Sequence, residues 1–101
     1  MSDVEAALAA LAARFVARAA EDLQTLSRWS DAGGNPDDEH RRLLHRLAGA
    51  AGTFGFHALS ARAAEAEDTV AAGADGGAQL RSVLQELAQV VEGARSRASP
   101  D

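Results

Sequence analysis

The chain has 101 residues with a formal charge of −5; 25 residues are alanine, all ten basic residues are arginine, and cysteine, isoleucine and tyrosine are absent. That length fits one domain, and without cysteine there is no disulfide framework and no thiolate metal site. The acidic balance argues against general nucleic-acid binding, which works by neutralising phosphates, and no apolar run approaches the roughly 20 residues of a membrane helix.

The N-terminus, Met1-Ser2-Asp3-Val4-Glu5, is acidic where a secretory leader is basic, so a cytoplasmic protein is expected, and the Met1 start fits a complete one. Val4, Leu8, Leu11, Phe15, Ala19, Leu23, Leu26 and Trp29 recur at intervals of three and four. This is the period of an amphipathic helix, read as one long helix or a short one running into a longer one near Ala12 to Arg14, with Ser2 or Asp3 as cap. Asp31-Ala32-Gly33-Gly34-Asn35-Pro36 is the clearest break in the chain. The next helix is expected to open at about Asn35 as cap and Pro36 as first helical residue, with Asp37, Asp38 and Glu39 in a first turn whose dipole favours negative charge. It should close near Phe54, where Gly55 can take the left-handed conformation.

A third helical stretch begins at His57 or Ala58, carries Leu59, Ala63, Ala66 and Val70 on one stripe, and stops at Gly73-Ala74-Asp75-Gly76-Gly77. The last runs from about Ala78 to Ala94 with Leu80, Val83, Leu84, Leu87, Val90 and Val91 as its stripe. Residues 95–101 read as a frayed tail. Four striped helices joined by short turns favour an all-α, antiparallel up-down four-helix bundle over residues 1–101, a short extra N-terminal helix being the one variant the pattern allows. Packing the four together buries every stripe, and abundant alanine lets the axes approach closely.

The organising stretch lies in the second helix, Leu44-His45-Arg46-Leu47-Ala48-Gly49-Ala50-Ala51-Gly52-Thr53-Phe54-Gly55-Phe56. Leu43, Leu44, Leu47 and Phe54 mark the side turned to the core. His45 shares its side of the helix with Arg41 and Arg42 before it and Ala48, Gly49 and Gly52 after it. Two interior glycines cost about 1 kcal/mol each relative to alanine, so a surface stripped bare beside an imidazole implies that another protein comes close to His45. Arg41, Arg42 and Arg46 place a positive patch around it on an acidic protein.

This stretch resembles the active-site signature of histidine-containing phosphotransfer (HPt) domains of multistep phosphorelays, His-x-Leu-Lys-Gly followed after a short interval by a further Gly. Here it reads His45-Arg46-Leu47-Ala48-Gly49, then Gly55, and the likeness continues through the alanine-rich acidic helix Leu59 to Glu67. The resemblance implies that His45 takes a phosphoryl group from the phospho-aspartate of a response-regulator receiver domain and passes it to another receiver, a hybrid histidine kinase being a further candidate partner. It implies no cofactor of the chain's own. The receiver brings the aspartate, a lysine and a Mg²⁺ site, which suits a chain with no ATP-binding motif.

One position departs from the pattern, because Ala48 stands where the family has the lysine thought to lie beside the phosphoryl group. Arg41 or Arg42 is expected to compensate. Gly49 and Gly52 would admit the receiver's loops, Leu47 would anchor the helix, and Arg46 would be a docking or solvent residue. Neutral imidazole is nucleophilic and abundant at cellular pH, and transfer then needs mainly positioning and charge neutralisation. A phosphocarrier of this kind has no turnover of its own and is not an enzyme in the ordinary sense.

The remaining candidates have plainer readings. His40, about 140° round the helix from His45, reads as a surface residue, and His57 as part of a turn. The three histidines have no metal-site spacing. Glu65, Glu67 and Asp68 read as a solvated face, and Phe15, Trp29, Phe54 and Phe56 as core or bundle-end packing. Two other function classes compete. A helical module could dock and regulate a receiver or kinase without being phosphorylated, which Ala48 permits, and a purely structural bundle explains the stripes but not the bare surface at His45. A four-helix bundle closes its own core, so a monomer is expected.

Overall fold

The structure is a computed structural model that describes residues 2–33 and 37–98. Four helices make it up: α1 (Asp3–Ala32), α2 (Asp38–Thr53), α3 (His57–Ala71) and α4 (Gly77–Ala98). Each packs on its neighbours to close a ring, α2 most extensively on α3 and α1 most sparsely on α2. The result is the all-α four-helix bundle that the periodicity predicts, and none of its helices, among the described residues, is long and apolar enough to cross a membrane.

Local chemistry sets the helix ends. Ser2 caps α1, its hydroxyl accepting from the Glu5 N–H at 3.1 Å. The helix runs unbroken to Ala32, so there is no separate N-terminal helix, and Gly33 at φ 69° closes it by donating its N–H to the Trp29 carbonyl. The second helix begins later than its sequence suggests, with Asp37 as cap in a reciprocal capping box. The Asp37 carboxylate accepts from the His40 N–H at 3.0 Å while His40 Nδ1 accepts from the Asp37 N–H at 3.3 Å. That box satisfies two of the helix's orphan donors, so the acidic residue after the proline takes the capping role. Asn35 and Pro36, expected as cap and first helical residue, lie outside the described residues.

After α2 the chain turns at Gly55, whose φ of 83° is left-handed and favours glycine. The Phe56 N–H donates to the Ala51 carbonyl at 2.8 Å, folding the turn tightly back. Phe56 then stacks on Phe15 and Phe54 meets it tilted by 31°, with ring centroids 5.3 and 5.5 Å away, which fixes this end of the bundle to α1. At the opposite end Trp29 stacks on His40 at 4.1 Å with rings 5° from parallel. His40, expected as a plain surface residue, therefore caps one helix and holds it to another.

The core alternates large and small residues. Leu26, Leu44, Leu47, Leu59, Val83 and Leu87 are almost completely buried, together with the small Ala19, Ala51, Ala63 and Ala66, which let the helices approach closely. One part of the expected stripe stays out of the core. Val4, Leu8 and Leu11 are 68, 57 and 45% exposed, because α1 has 30 residues against 16 in α2 and 15 in α3. Its first turns overhang the bundle, whose longest extent is 47 Å. At the other terminus α4 remains helical through Ala98, so residues 95–98 are not the frayed tail expected; residues 99–101 lie outside the described part.

Candidate functional site

Along α2, Leu44 and Leu47 are sealed in the core at 0 and 1% exposure, and this fixes the rotation of the helix. His45, between them, must then point outward, and its side chain is 76% exposed. The residue that meets it comes from α3. Glu67, whose side chain is only 18% exposed, places its two carboxylate oxygens 3.0 and 3.1 Å from His45 Nδ1. An ionised carboxylate can only accept hydrogen bonds, so Nδ1 carries a proton and, in the neutral ring, Nε2 keeps its lone pair. The carboxylate thus selects the tautomer and orients the ring, and an exposed, oriented nitrogen nucleophile is the chemical capability of this site.

The three arginines near His45 do three different things. Arg41 Nη1 lies 3.7 Å from the same Glu67 oxygen that holds the imidazole, with its Nε 3.4 Å from Asp38. Arg42, one residue further round, pairs with Asp38 at 3.3 Å and is 72% exposed; it turns toward the α1 side of α2. Arg46, expected as a docking or solvent residue, instead crosses to α1 and donates to Asp22 at 2.9 Å. Asp22 is 3% exposed, is also approached by Arg18 at 3.6 Å, and keeps one carboxylate oxygen, Oδ2, buried without a partner. Arg41, His45 and Glu67 therefore form one group, while Arg46 and Asp22 form a second that ties α2 to α1.

The small residues also divide. Gly49 is exposed, with nothing within 4 Å of where a side chain would begin. Gly52 faces inward to α3, where a Cβ would stand 3.3 Å from Ser60 Oγ. Ser60 donates to the Ala48 carbonyl at 2.8 Å, so Ala48 and Gly52 together let α3 come close enough to bring Glu67 to His45. Gly55 forms the turn described above. Replacing Gly49 with alanine should raise stability by about 1 kcal/mol, the helix-propensity difference. Gly52→Ala should gain less or lose stability, since Ser60 must give way. Denaturant unfolding of both variants checks this.

Sequence reading missed Glu67, placed among solvated acidic residues, and Asp22. Both had a signal in the topology. Antiparallel helices joined by a short turn bring together residues equidistant from it, and His45 and Glu67, 22 residues apart, lie evenly about Phe56. Gly52 and Ser60 reflect across the same point. Asp22 and Arg46, 24 apart, lie evenly about the connection between α1 and α2. Among the described residues no cluster of His, Cys, Asp and Glu suits a metal ion.

The Hpt domain family model matches residues 10–97, which include every residue of this site. No curated protein and no solved structure gives a significant match to the chain.

Proposed function

Because the chain belongs to the Hpt domain family, whose members carry phosphoryl groups on a histidine in phosphorelays, we propose that His45 is the phosphorylated residue and exchanges its phosphoryl group with the aspartate of response-regulator receiver domains. The observation that carries this is the bond between His45 Nδ1 and Glu67, which leaves Nε2 free on an exposed face. Nε2 attacks the phosphorus of the receiver's acyl phosphate in line. The N–P bond forms as the P–O bond to the aspartate breaks, and the aspartate leaves as a carboxylate. No proton has to move, because Nδ1 keeps its own. The imidazole gains positive charge as it accepts the phosphoryl group, and the Glu67 carboxylate at 3.0 Å stabilises that charge where it develops. Phosphoryl transfer back to a second receiver is the same step reversed.

The chain's part is to hold one nucleophile and offer a bare surface. Gly49, open to solvent, lies one turn beyond His45 and admits the receiver's loops. The Mg²⁺ that neutralises the phosphoryl oxygens belongs to the receiver. Arg41 takes the place of the family lysine missing at Ala48, since it reaches the His45–Glu67 pair as well as Asp38, whereas Arg42 pairs with the same Asp38 and lines the α1 side of α2.

Labelled phosphate from phosphorylated receivers tests both statements. Label that is acid-labile and base-stable should appear on the protein and be lost in His45→Ala. Arg41→Ala should shorten phosphohistidine lifetime or slow transfer about tenfold, one charge-assisted contact, with Arg42→Ala close to the parent. Equal effects at the two positions would remove the special role of Arg41. A receiver that binds but leaves no label would instead make the chain a docking module that regulates without being phosphorylated, the reading Ala48 permits.

A further inference from the structure

Every exposed large hydrophobic side chain among the described residues lies in the first turns of α1: Val4, Leu8 and Leu11. They are spaced four and three apart, and Phe15, four further on, begins the buried core. A 4-3-4 spacing is the a/d seam of a coiled coil, here continuing the core stripe past the end of the bundle, where it is left about half or more exposed. Its neighbours carry opposite charges at opposite ends, Asp3 and Glu5 near the tip and Arg14 and Arg18 near the base.

We propose that these turns pair antiparallel with the same turns of a second copy, joining two bundles end to end. Antiparallel seams set a positions against d positions, which puts Leu8 against the partner's Leu11 and brings Val4 up to the partner's Phe54 and Phe56, which cover its Phe15. In that register Arg14 stands within one turn of the partner's Asp3, on the same flank of the seam, and the two-fold axis repeats the pair. Glu5, on the other flank, faces the basic last turn of the partner's α4, which carries Arg95 and Arg97. A parallel pair would set acidic tip beside acidic tip and basic base beside basic base. Charge therefore selects the antiparallel arrangement, and an isologous two-fold contact closes without forming fibres. The bundle core stays closed within each copy, so the contact adds to the monomer fold expected from sequence and does not depend on the phosphotransfer reading. It leaves His45, on α2, uncovered. The interface is small, which places the dissociation constant on the order of 100 µM.

Sedimentation velocity on the full chain from about 10 µM to 1 mM should show a monomer–dimer equilibrium in this range. Leu8→Glu should weaken it at least tenfold while leaving the helical circular-dichroism signal and thermal midpoint nearly unchanged, because Leu8 is more than half exposed and outside the bundle core. Asp3→Arg alone and Arg14→Asp alone should each be monomeric, since each sets like charges against one another where residue 3 meets residue 14 of the partner copy, and an equimolar mixture of the two should dimerise again. A protein that stays monomeric at 1 mM, or a dimer untouched by Leu8→Glu, overturns the proposal. Loss of the dimer in Leu8→Glu without recovery in the charge mixture overturns the antiparallel register.

Discussion

Glu67→Gln should slow phosphoryl transfer to His45 by about 10–100-fold, the usual range for removing a carboxylate that orients a functional histidine, while leaving the fold intact. The carboxylate accepts from Nδ1 at 3.0 and 3.1 Å, and it contributes in two ways. It can only accept, so it enforces the tautomer with a free Nε2, and it carries the negative charge that balances the phosphorylated imidazolium. A glutamine of nearly the same shape offers an N–H₂ group to the same ring nitrogen. Where it donates, Nδ1 becomes the acceptor, Nε2 takes the proton, and the nucleophile is lost. Glu67→Asp keeps the charge but shortens the reach, so it should recover part of the rate. Stopped transfer assays with a single phosphorylated receiver separate the effects: receiver affinity should be nearly unchanged in Glu67→Gln and the transfer step slowed. A variant that transfers at the parent rate would mean that exposure alone prepares His45. Unfolding midpoints should barely move, since the bond is made to a ring that is mostly in solvent.

The second large effect concerns stability. Arg46→Ala should destabilise the bundle by about 3 kcal/mol, because it strands a buried carboxylate. Asp22 is 3% exposed, one of its oxygens already lacks a partner, and the other is held by Arg46 at 2.9 Å. Arg18 lies further away, at 3.6 Å, and more than half exposed, so it compensates only in part. Replacing Asp22 with leucine should cost much less than Arg46→Ala, despite removing the same bond. A leucine takes away the charge that needed a partner and adds apolar contact at the α1–α2 junction, while Arg46 finds water. Removing a buried ion pair whole is often near neutral, whereas removing half of it is not. Urea unfolding of the two single variants and the double variant gives the comparison directly. If Asp22→Leu proves as damaging as Arg46→Ala, the pair is a net source of stability in its own right. Because α1 meets α2 more sparsely than any other adjacent pair, this bridge and the Trp29–His40 stack carry much of that junction. Their loss should be felt at His45, which rides on the same helix.

Much of this protein was legible in its residues alone. The 3.6-residue stripes around Leu26, Leu44, Leu59 and Val83 left a helical bundle as the economical way to bury them, and the Gly/Pro breaks divided the chain into four helices. The phosphotransfer signature at His45 to Gly49 rested on spacing that the fold did not need to explain. The tertiary structure decided the matters that depend on neighbours distant in sequence. Glu67 looks like any solvated glutamate on its own helix, and only the tight turn at Gly55 and Phe56, with Ser60 packed into the gap left by Gly52, sets its carboxylate on His45. Arg41, Arg42 and Arg46 are equivalent by composition, yet the rotation of α2 sets Arg41 between Glu67 and Asp38, Arg42 on Asp38 and Arg46 on Asp22. Likewise Val4, Leu8 and Leu11 carry the same pattern as the buried part of α1, and they stay exposed because α2 and α3 are too short to reach them. Periodicity reports which side of a helix is apolar; the lengths and turns of the other helices determine what meets that side.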